Sequence, residues 1–346
     1  MKKLLGLILI ALMVFNFCGA LAEELPAWVR EDPSSIGDRI VVYTALDASE
    51  RQTVEEVWHT YYPDCAIEWV SDSMGRLVDR VREAADAPEA DVIMGGLSEV
   101  DGTAYHDILQ QYTPAVAGEL SSIDSYGFYS FFDVQCMVLV VNETLANELG
   151  VEINGYADLL NPLLKGKIIQ ADPASSDSGY LQLQTMLALM GEDFADDKAW
   201  EYVDQLIANC DGALTMAPAN VVKGVLDGEY VVGLTYESLA ASLITEASAE
   251  NIRLVYPSEG NTICASGAGM VKDCPHYEAA AAFLDFCASD EYQQARYDAH
   301  FARGTNTAVQ CGEYPALEDL SLISVDWEAV ANQKAALIEG WTERWE

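Results

Sequence analysis

The amino-terminal third of the chain alternates between continuous apolar runs and amphipathic helical segments. Residues 40–45 read IVVYTA, and residues 67–70 (IEWV) and 91–94 (DVIM) are two further runs that are mainly apolar and are predicted as strands. A run without polar alternation is typical of a strand that is buried on both faces of a sheet. Between the first two runs, apolar residues recur at helical spacing until Pro63. This β-α-β-α-β order predicts an α/β fold with mostly parallel sheets.

The rest of the chain continues the same pattern without an obvious linker. Further strands are predicted at residues 137–141, 167–170, 230–236 and 252–256, with helical segments between them. A chain of 346 residues with 51% hydrophobic residues has the length for about two domains and the composition for packed cores. Because no low-complexity segment separates two halves, we expect the two lobes to exchange the chain through extended crossover strands.

The first 22 residues have the features of a signal peptide. Lys2 and Lys3 precede the apolar residues 4–17, and Ala20-Leu21-Ala22 is a small-residue cleavage site. The apolar run is shorter than the roughly 20 residues that span a bilayer. The sequence therefore predicts an exported protein, in the periplasm or at the extracellular face of the membrane, cleaved near Ala22. Lipid attachment at Cys18 is the alternative, although the residues before it are larger than usual for such a site.

The charge is strongly acidic, with 18 Lys and Arg against 56 Asp and Glu and a net charge of −38. Loss of the two leader lysines leaves 16 bases, so the mature chain carries −40. A general nucleic-acid binder needs a basic surface. The acidic composition therefore excludes this class of protein. An anionic small ligand is still compatible with this charge, because surface charges are screened over about 8 Å at physiological salt.

The motifs of common enzymes and metal sites are missing from the sequence. It has no G-x-S-x-G, H-E-x-x-H, Walker A or G-x-G-x-x-G pattern, and its four histidines have no evident serine or cysteine partner. Seven cysteines follow the leader, but none form C-x-x-C, and their disulfide pairing is left open. We therefore expect neither catalysis, nor a metal site, nor a cofactor. A secreted enzyme with a cysteine nucleophile in a cleft is the rival hypothesis.

Three segments carry polar groups where predicted strands end. Residues 175–179 (SSDSG) follow a strand and open a helix, where hydroxyls and free amides favour phosphate, phosphonate or carboxylate. Residues 73–75 (SMG) form a second strand-to-helix loop of this kind. Tyr236 and Glu237 end another strand, at the edge of an open α/β sheet where ligands bind. Ordinary helix caps and strand-end packing are the alternatives for all three.

In these segments and others the chain resembles the periplasmic solute-binding proteins of ABC importers with the type II fold. The similarity is to the branch that holds ferric-ion, thiamine, phosphonate and hexose-phosphate binders, and it covers nearly all of the mature chain. The similar segments are VVYTALDASERQ (41–52), SMGRLVDRVREAADAPEADVIMGG (73–96), MVLVVN (137–142), DLLNPLLKGKIIQADPASSDSGY (158–180), GVLDGEYVVGLTYES (224–238), LVYPSEG (254–260) and DWEAVANQKAALIEGW (326–341).

The resemblance implies two α/β lobes that close on a solute by a hinge motion. Residues 38–133 and 262–311 are expected to form lobe 1, residues 134–261 lobe 2, and residues 312–346 a helical tail packed on the lobes. A monomer that delivers its solute to a membrane permease is the implied function, with no nucleic-acid partner.

The resemblance also implies which residues line the cleft, and it narrows the range of expected solutes. Ferric-ion binders of this branch use two adjacent tyrosines where this chain has Tyr236 and Glu237, and commonly a histidine in the loop that here holds Asp47. A phosphorylated sugar or a phosphonate is therefore favoured, with Arg303 neutralising its anion; a ferric-ion or thiamine binder is the alternative. The predicted ligand-binding residues are Leu46, Asp47, Ser73, Gly75, Gly96, Ser175, Ser176, Ser178, Gly179, Tyr236, Glu237 and Arg303.

Overall fold

A computed structural model describes residues 25–312 and 314–346; the predicted signal peptide and Cys18 lie outside these ranges. The described residues form ten strands and eleven α-helices. The strands are β1 Arg39–Thr44, β2 Ala66–Ser71, β3 Val92–Ser98, β4 Leu109–Gln110, β5 Ser130–Asn142, β6 Ile168–Ala171, β7 Leu214–Thr215, β8 Val232–Tyr236, β9 Ile252–Val255 and β10 Ile263–Val271.

The helices follow the strands in alternation through most of the chain. They are α1 Ala48–Tyr61, α2 Met74–Glu83, α3 Glu143–Leu149, α4 Asp177–Leu189, α5 Asp197–Cys210, α6 Pro218–Leu226, α7 Glu237–Ala247, α8 Tyr277–Ala288, α9 Asp290–His300, α10 Trp327–Ala331 and α11 Lys334–Trp345.

Each lobe has a parallel sheet at its centre. In lobe 1, β1 lies between β2 and β3 and is parallel to both. In lobe 2, β6 lies between β7 and β8, also in parallel. Every antiparallel pair among the described strands involves β5 or β10. The predicted α/β fold with crossover strands is therefore confirmed, with the antiparallel ladders confined to those two strands.

The 13-residue strand β5 joins the lobes. Its first half, up to Cys136, pairs with β10 in lobe 1. From Met137 onwards it pairs with β8 and β9 in lobe 2. The chain thus changes its pairing partners, from β10 to β8 and β9, between two adjacent residues. All residues of β5 except the partly buried Gln135 are buried, so the strand can serve both cores.

The hydrophobic core is divided in the same way. One cluster surrounds Trp58 and Phe283 in lobe 1, and a second surrounds Tyr156 and Leu183 in lobe 2. The C-terminal tail contributes Trp341 to the lobe 2 cluster. In the opposite direction, Glu328 of α10 accepts a hydrogen bond from the Tyr126 hydroxyl of lobe 1 at 2.7 Å. The tail therefore contacts both lobes.

Two further properties bear on the predictions from sequence. All seven cysteines of the described chain are free thiols, and six of them are buried, as expected for small apolar side chains. The described helices include none that combines the length and the apolarity needed to cross a bilayer.

Candidate functional site

A cavity of about 440 Å³ lies between the two lobes, at the carboxyl ends of β1 and β8 and beside Gly95 and Gly96 of β3. Lobe 1 supplies most of its wall, and the first turns of α7 supply the opposite wall. The lining residues are Ala45, Leu46, Asp47, Ser49, Glu50, Gly95, Gly96, Phe132, Asp133, Gln135, Tyr236, Ser238, Leu239, Ser242, Ser266, Arg296, His300 and Ala302.

The start of α1 carries two carboxylates into this cavity. Asp47 Oδ1 accepts hydrogen bonds from the backbone amides of Ser49 at 2.8 Å and Glu50 at 2.9 Å. Glu50 Oε2 accepts in turn from the Asp47 amide at 3.2 Å. This capping box satisfies the first amides of the helix with the chain's own carboxylates. Partial burial opposes ionisation of Asp47, but the bonds from Glu50 and Ser49 outweigh it and lower its pKa.

A third carboxylate, Asp133, is paired with the arginine of the cavity. Arg296 Nη1 lies 3.0 Å from Asp133 Oδ1, and Arg296 Nη2 lies 3.6 Å from Glu50 Oε1. The guanidinium also lies over the Phe132 ring, 4.8 Å from its centroid. Burial opposes the charge of Arg296, yet the facing carboxylates raise its pKa overall. The one arginine of the described lining is thus already shared by two carboxylates.

His300 adds no positive charge at neutral pH. Burial is the main cause that lowers its pKa below the ordinary value of 6.5. Its Nε2 atom lies 2.9 Å from Thr53 Oγ1. With three carboxylates and one guanidinium, the lobe 1 wall carries a formal charge of −2, so it offers mainly hydrogen-bond acceptors to a solute.

The lobe 2 wall has the opposite character. Tyr236 ends β8 and stands at the N-cap of α7, where no side chain accepts from the first amides. Ser238 and Ser242, one turn apart on α7, line the cavity with it. Burial, with the nearby carboxylates of lobe 1, raises the pKa of Tyr236 to about 12, so its phenol stays protonated and can donate. An uncapped helix start with hydroxyl donors suits an anion.

Glu237 and Arg303 face each other rather than the cavity. Arg303 donates from Nε to Glu237 Oε2 at 3.0 Å and from Nη2 to Oε1 at 2.7 Å. Tyr256 donates its hydroxyl to Oε1 at 2.6 Å. Both charged side chains are almost fully buried, with 4% and 2% exposed. Both residues were predicted from the sequence to bind a solute, with Arg303 neutralising its anion; in the structure each neutralises the other.

The serine loop before α4 is also outside the described lining of the cavity. Ser176 Oγ accepts from the Gly179 amide at 3.3 Å and lies 3.1 Å from Ser178 Oγ. Ser175 donates its hydroxyl to Asp172 Oδ2 at 2.9 Å. These contacts are those of a helix cap. Gly179 is needed for packing, because a Cβ there would lie 2.6 Å from the Ala171 carbonyl oxygen.

The remaining predicted residues lie at the lobe 1 edge. Leu46 and Gly96 line the cavity, whereas Ser73 and Gly75 are exposed at the start of α2. Gly96 has a φ of +104°, and a Cβ added there would lie 3.0 Å from the terminal methyl of Met74. Thus the 73–75 loop touches the cavity rim through its central residue. Leu46, Asp47, Gly96 and Tyr236 are the predicted residues that the structure brings together around the cavity.

Sequence reasoning found the acceptor Asp47 but missed the acceptors Glu50 and Asp133 and the cation Arg296 of lobe 1. The sequence could have placed Glu50 beside Asp47, because it stands three residues later, at the spacing of a capping box. Arg296 and His300 also had a sequence signal, since residues four apart share a helix face. Asp133 lies inside the apolar run of β5 and had no comparable signal. Across the described residues, no three His, Cys, Asp or Glu side chains form a group that could hold a metal ion.

Comparison with known proteins agrees with this architecture. A family model described as bacterial extracellular solute-binding protein matches residues 100–333. An uncharacterized protein of Haemophilus influenzae is 24% identical over 319 residues, which is 88% of this chain and 90% of that protein.

Solved structures show the same fold at low sequence identity. The periplasmic binding protein AfuA from Actinobacillus pleuropneumoniae, with exogenous fructose-6-phosphate bound, is 22% identical with a TM-score of 0.73 and 88% and 98% of the two chains covered. Iron-bound HitA from Pseudomonas aeruginosa is 18% identical with a TM-score of 0.75 and 88% and 99% covered. These likenesses confirm the predicted type II periplasmic-binding-protein fold. Since the family match spans more than half of its length, the chain belongs to the bacterial extracellular solute-binding proteins.

Proposed function

We propose that the protein captures a hydroxylated organic phosphate or phosphonate between its lobes and delivers it to the permease of an ABC importer. The observation that carries the proposal is the contrast between the two walls of the cavity. The start of α7, with Ser238 and Ser242, offers donors to an anion, while Asp47, Glu50 and Asp133 offer acceptors.

A solute with an anionic group at one end and hydroxyls at the other complements both walls. A phosphate at the α7 start receives backbone and hydroxyl donors without needing an arginine. Sugar hydroxyls donate to carboxylates, and hydrogen bonds to a charged group are stronger than neutral ones. An inorganic anion alone would leave the carboxylate wall facing negative charge, which disfavours it. The cavity volume of about 440 Å³ suits a small molecule of this kind.

Membership of this family supports a role in transport and the absence of catalysis. We further propose that the protein is exported and that its signal peptide is cleaved near Ala22. A structural relative, AfuA, was solved with fructose-6-phosphate bound, which makes that sugar phosphate a reasonable first probe. We expect the protein to act as a monomer, since its solute cavity is complete within one chain.

Calorimetric titration with fructose 6-phosphate, fructose, inorganic phosphate and ferric citrate tests the proposal. We expect the sugar phosphate to bind at least tenfold more tightly than either of its halves. If fructose binds as tightly as fructose 6-phosphate, the phosphate group is not recognised and the proposed anion site is wrong. If ferric citrate is the one compound of the four that binds, iron uptake replaces sugar-phosphate transport as the proposed function.

Ferric ion is the second candidate because the cavity holds hard donors. Asp47, Glu50, Asp133, Tyr236 and His300 all line it, and carboxylate, phenolate and imidazole groups are possible iron ligands. HitA, a structural relative, was solved with iron bound. Against this candidate, no three of the described carboxylate and histidine side chains form a group that could hold a metal ion. In addition, Asp133 and Glu50 already share Arg296, and the second tyrosine position is taken by a buried Glu237.

A further inference from the structure

We propose that Arg303 is a positioning residue for solute binding, which acts through Glu237 to hold the lobe 2 wall of the cavity against lobe 1. The proposal rests on the proposed function only in placing the solute in this cavity. Arg303 itself is not among the described residues that line the cavity.

Arg303 belongs to lobe 1 by its backbone and its neighbours. Its carbonyl oxygen accepts from the Val134 amide at 2.8 Å, in the lobe 1 half of β5. Two residues later, Thr305 donates its hydroxyl to the Phe131 carbonyl oxygen at 2.8 Å. The guanidinium therefore extends from a segment that is fixed to lobe 1.

Glu237 belongs to lobe 2 and directly follows the cavity residue Tyr236. It is the first residue of α7, and Tyr236 pairs with Met137 in the lobe 2 half of β5. The Arg303–Glu237 pair therefore crosses from one lobe to the other, close to the point at which β5 changes its pairing partners.

The geometry of the pair constrains orientation as well as distance. The two parallel N–H···O bonds of the guanidinium fork fix the plane of the carboxylate. The Tyr256 hydroxyl holds Oε1 from the lobe 2 side. With Glu237 held at both oxygens, the adjoining Tyr236 and the first amides of α7 have a fixed direction relative to Asp47 and Asp133. The two walls are thus preorganised for one solute, which lowers the cost of binding.

Removal of one partner alone would leave a buried charge and risk unfolding, so the main test removes all three groups together. The variant combines Arg303→Met, Glu237→Leu and Tyr256→Phe, which leaves an apolar cluster of similar volume. The matched control is Arg253→Met with Glu143→Leu, because Arg253 Nε also lies 2.7 Å from its glutamate but the pair is half-exposed and within lobe 2. Arg303→Lys tests whether a positive charge, without the two parallel hydrogen bonds of the guanidinium, is sufficient to hold Glu237 in place.

Two measurements decide the proposal. Small-angle X-ray scattering without solute should give the triple variant a larger radius of gyration than the wild type, with the control unchanged. Titration with fructose 6-phosphate should show affinity at least tenfold weaker in the triple variant, a smaller loss in Arg303→Lys and none in the control. A folded triple variant with wild-type scattering and affinity would overturn the positioning role and leave the pair a structural contact. If the wild type does not bind fructose 6-phosphate, the sugar-phosphate assignment fails, while the scattering result still decides lobe positioning.

Discussion

Arg296 of α9 and Asp133 of β5 form a buried ion pair in the wall of the cavity between the lobes, with 3.0 Å between Nη1 and Oδ1. The pair joins a helix to the crossover strand β5, three residues before the strand's pairing with β10 ends at Cys136. The pair also makes the lobe 1 wall of the cavity less favourable for an anion, because the positive charge of Arg296 is neutralised by carboxylates of its own lobe.

The first prediction concerns this pair. Asp133→Asn should lower the free energy of unfolding by about 3–5 kcal/mol, because it removes the nearer of the two carboxylates that face the buried Arg296 guanidinium and leaves only the longer ion pair with Glu50. Urea unfolding followed by circular dichroism measures the change. As the control, Glu143→Gln removes the acid of an exposed pair and should cost about 0–1 kcal/mol. Equal losses in the two variants would mean that the buried pair has no special weight.

The second prediction separates two positions for the anion. Ser238→Ala with Ser242→Ala should weaken fructose 6-phosphate binding by about 10²- to 10⁴-fold, if both hydroxyls donate to the phosphate and their losses add. Ser176→Ala with Ser178→Ala should instead cost about 1 kcal/mol of stability, since Ser176 caps α4, and leave affinity unchanged. Titration and thermal unfolding of both variants measure this. The reverse pattern would place the anion at the serine loop before α4.

The third prediction concerns iron. The cavity contributes a single tyrosine among its described lining residues, and the neighbouring position holds Glu237 in an ion pair. Purified protein with ferric salt should therefore lack the strong visible absorption of a phenolate–iron complex. Tyr236→Phe is the control, because it should leave the spectrum as it is. A stoichiometric coloured complex that disappears in Tyr236→Phe would establish a ferric site.

The fourth prediction concerns pH and Asp101, which follows β3 near the C-terminal tail. Burial raises the pKa of its carboxyl from 3.8 to about 6, although hydrogen bonds from Ser98 and the charge of Lys334 oppose the shift. The folded state therefore binds this proton more tightly than the unfolded state. The stabilisation is complete below pH 4 and is lost as pH rises through 6, a change of about 2–3 kcal/mol.

Asp101→Asn tests this linkage, because the amide oxygen can still accept from the Ser98 amide, which lies 2.8 Å from Asp101 Oδ2. Relative to the wild type, the variant should gain stability between pH 4 and pH 7 in urea unfolding. Asp79→Asn, at an exposed position of α2, serves as the control and should follow the wild-type profile. If the Asp101→Asn and wild-type profiles are parallel, Asp101 does not titrate in this range.

The sequence by itself determined the local elements and the class of fold. The run at residues 40–45 had to be covered on both faces, and Asp47 with Glu50 begins a helix wherever that segment lies, because both effects act over a few residues. The order of such elements indicated two α/β lobes. The absence of a linker between them predicted crossover strands, and the resemblance of whole segments added the transport role, which depends on the chain as a unit.

The tertiary structure decided which side chains meet. Arg303 and Glu237 are 66 residues apart, and Arg296 and Asp133 are 163 apart, so no local pattern could show that these charges neutralise each other. A residue type gives the charge that a side chain can carry, but only the fold sets whether that charge faces a solute or a partner. For this reason Tyr236 was placed at the cavity from its strand end, whereas the acidic character of the opposite wall emerged only when α1, β5 and α9 came together.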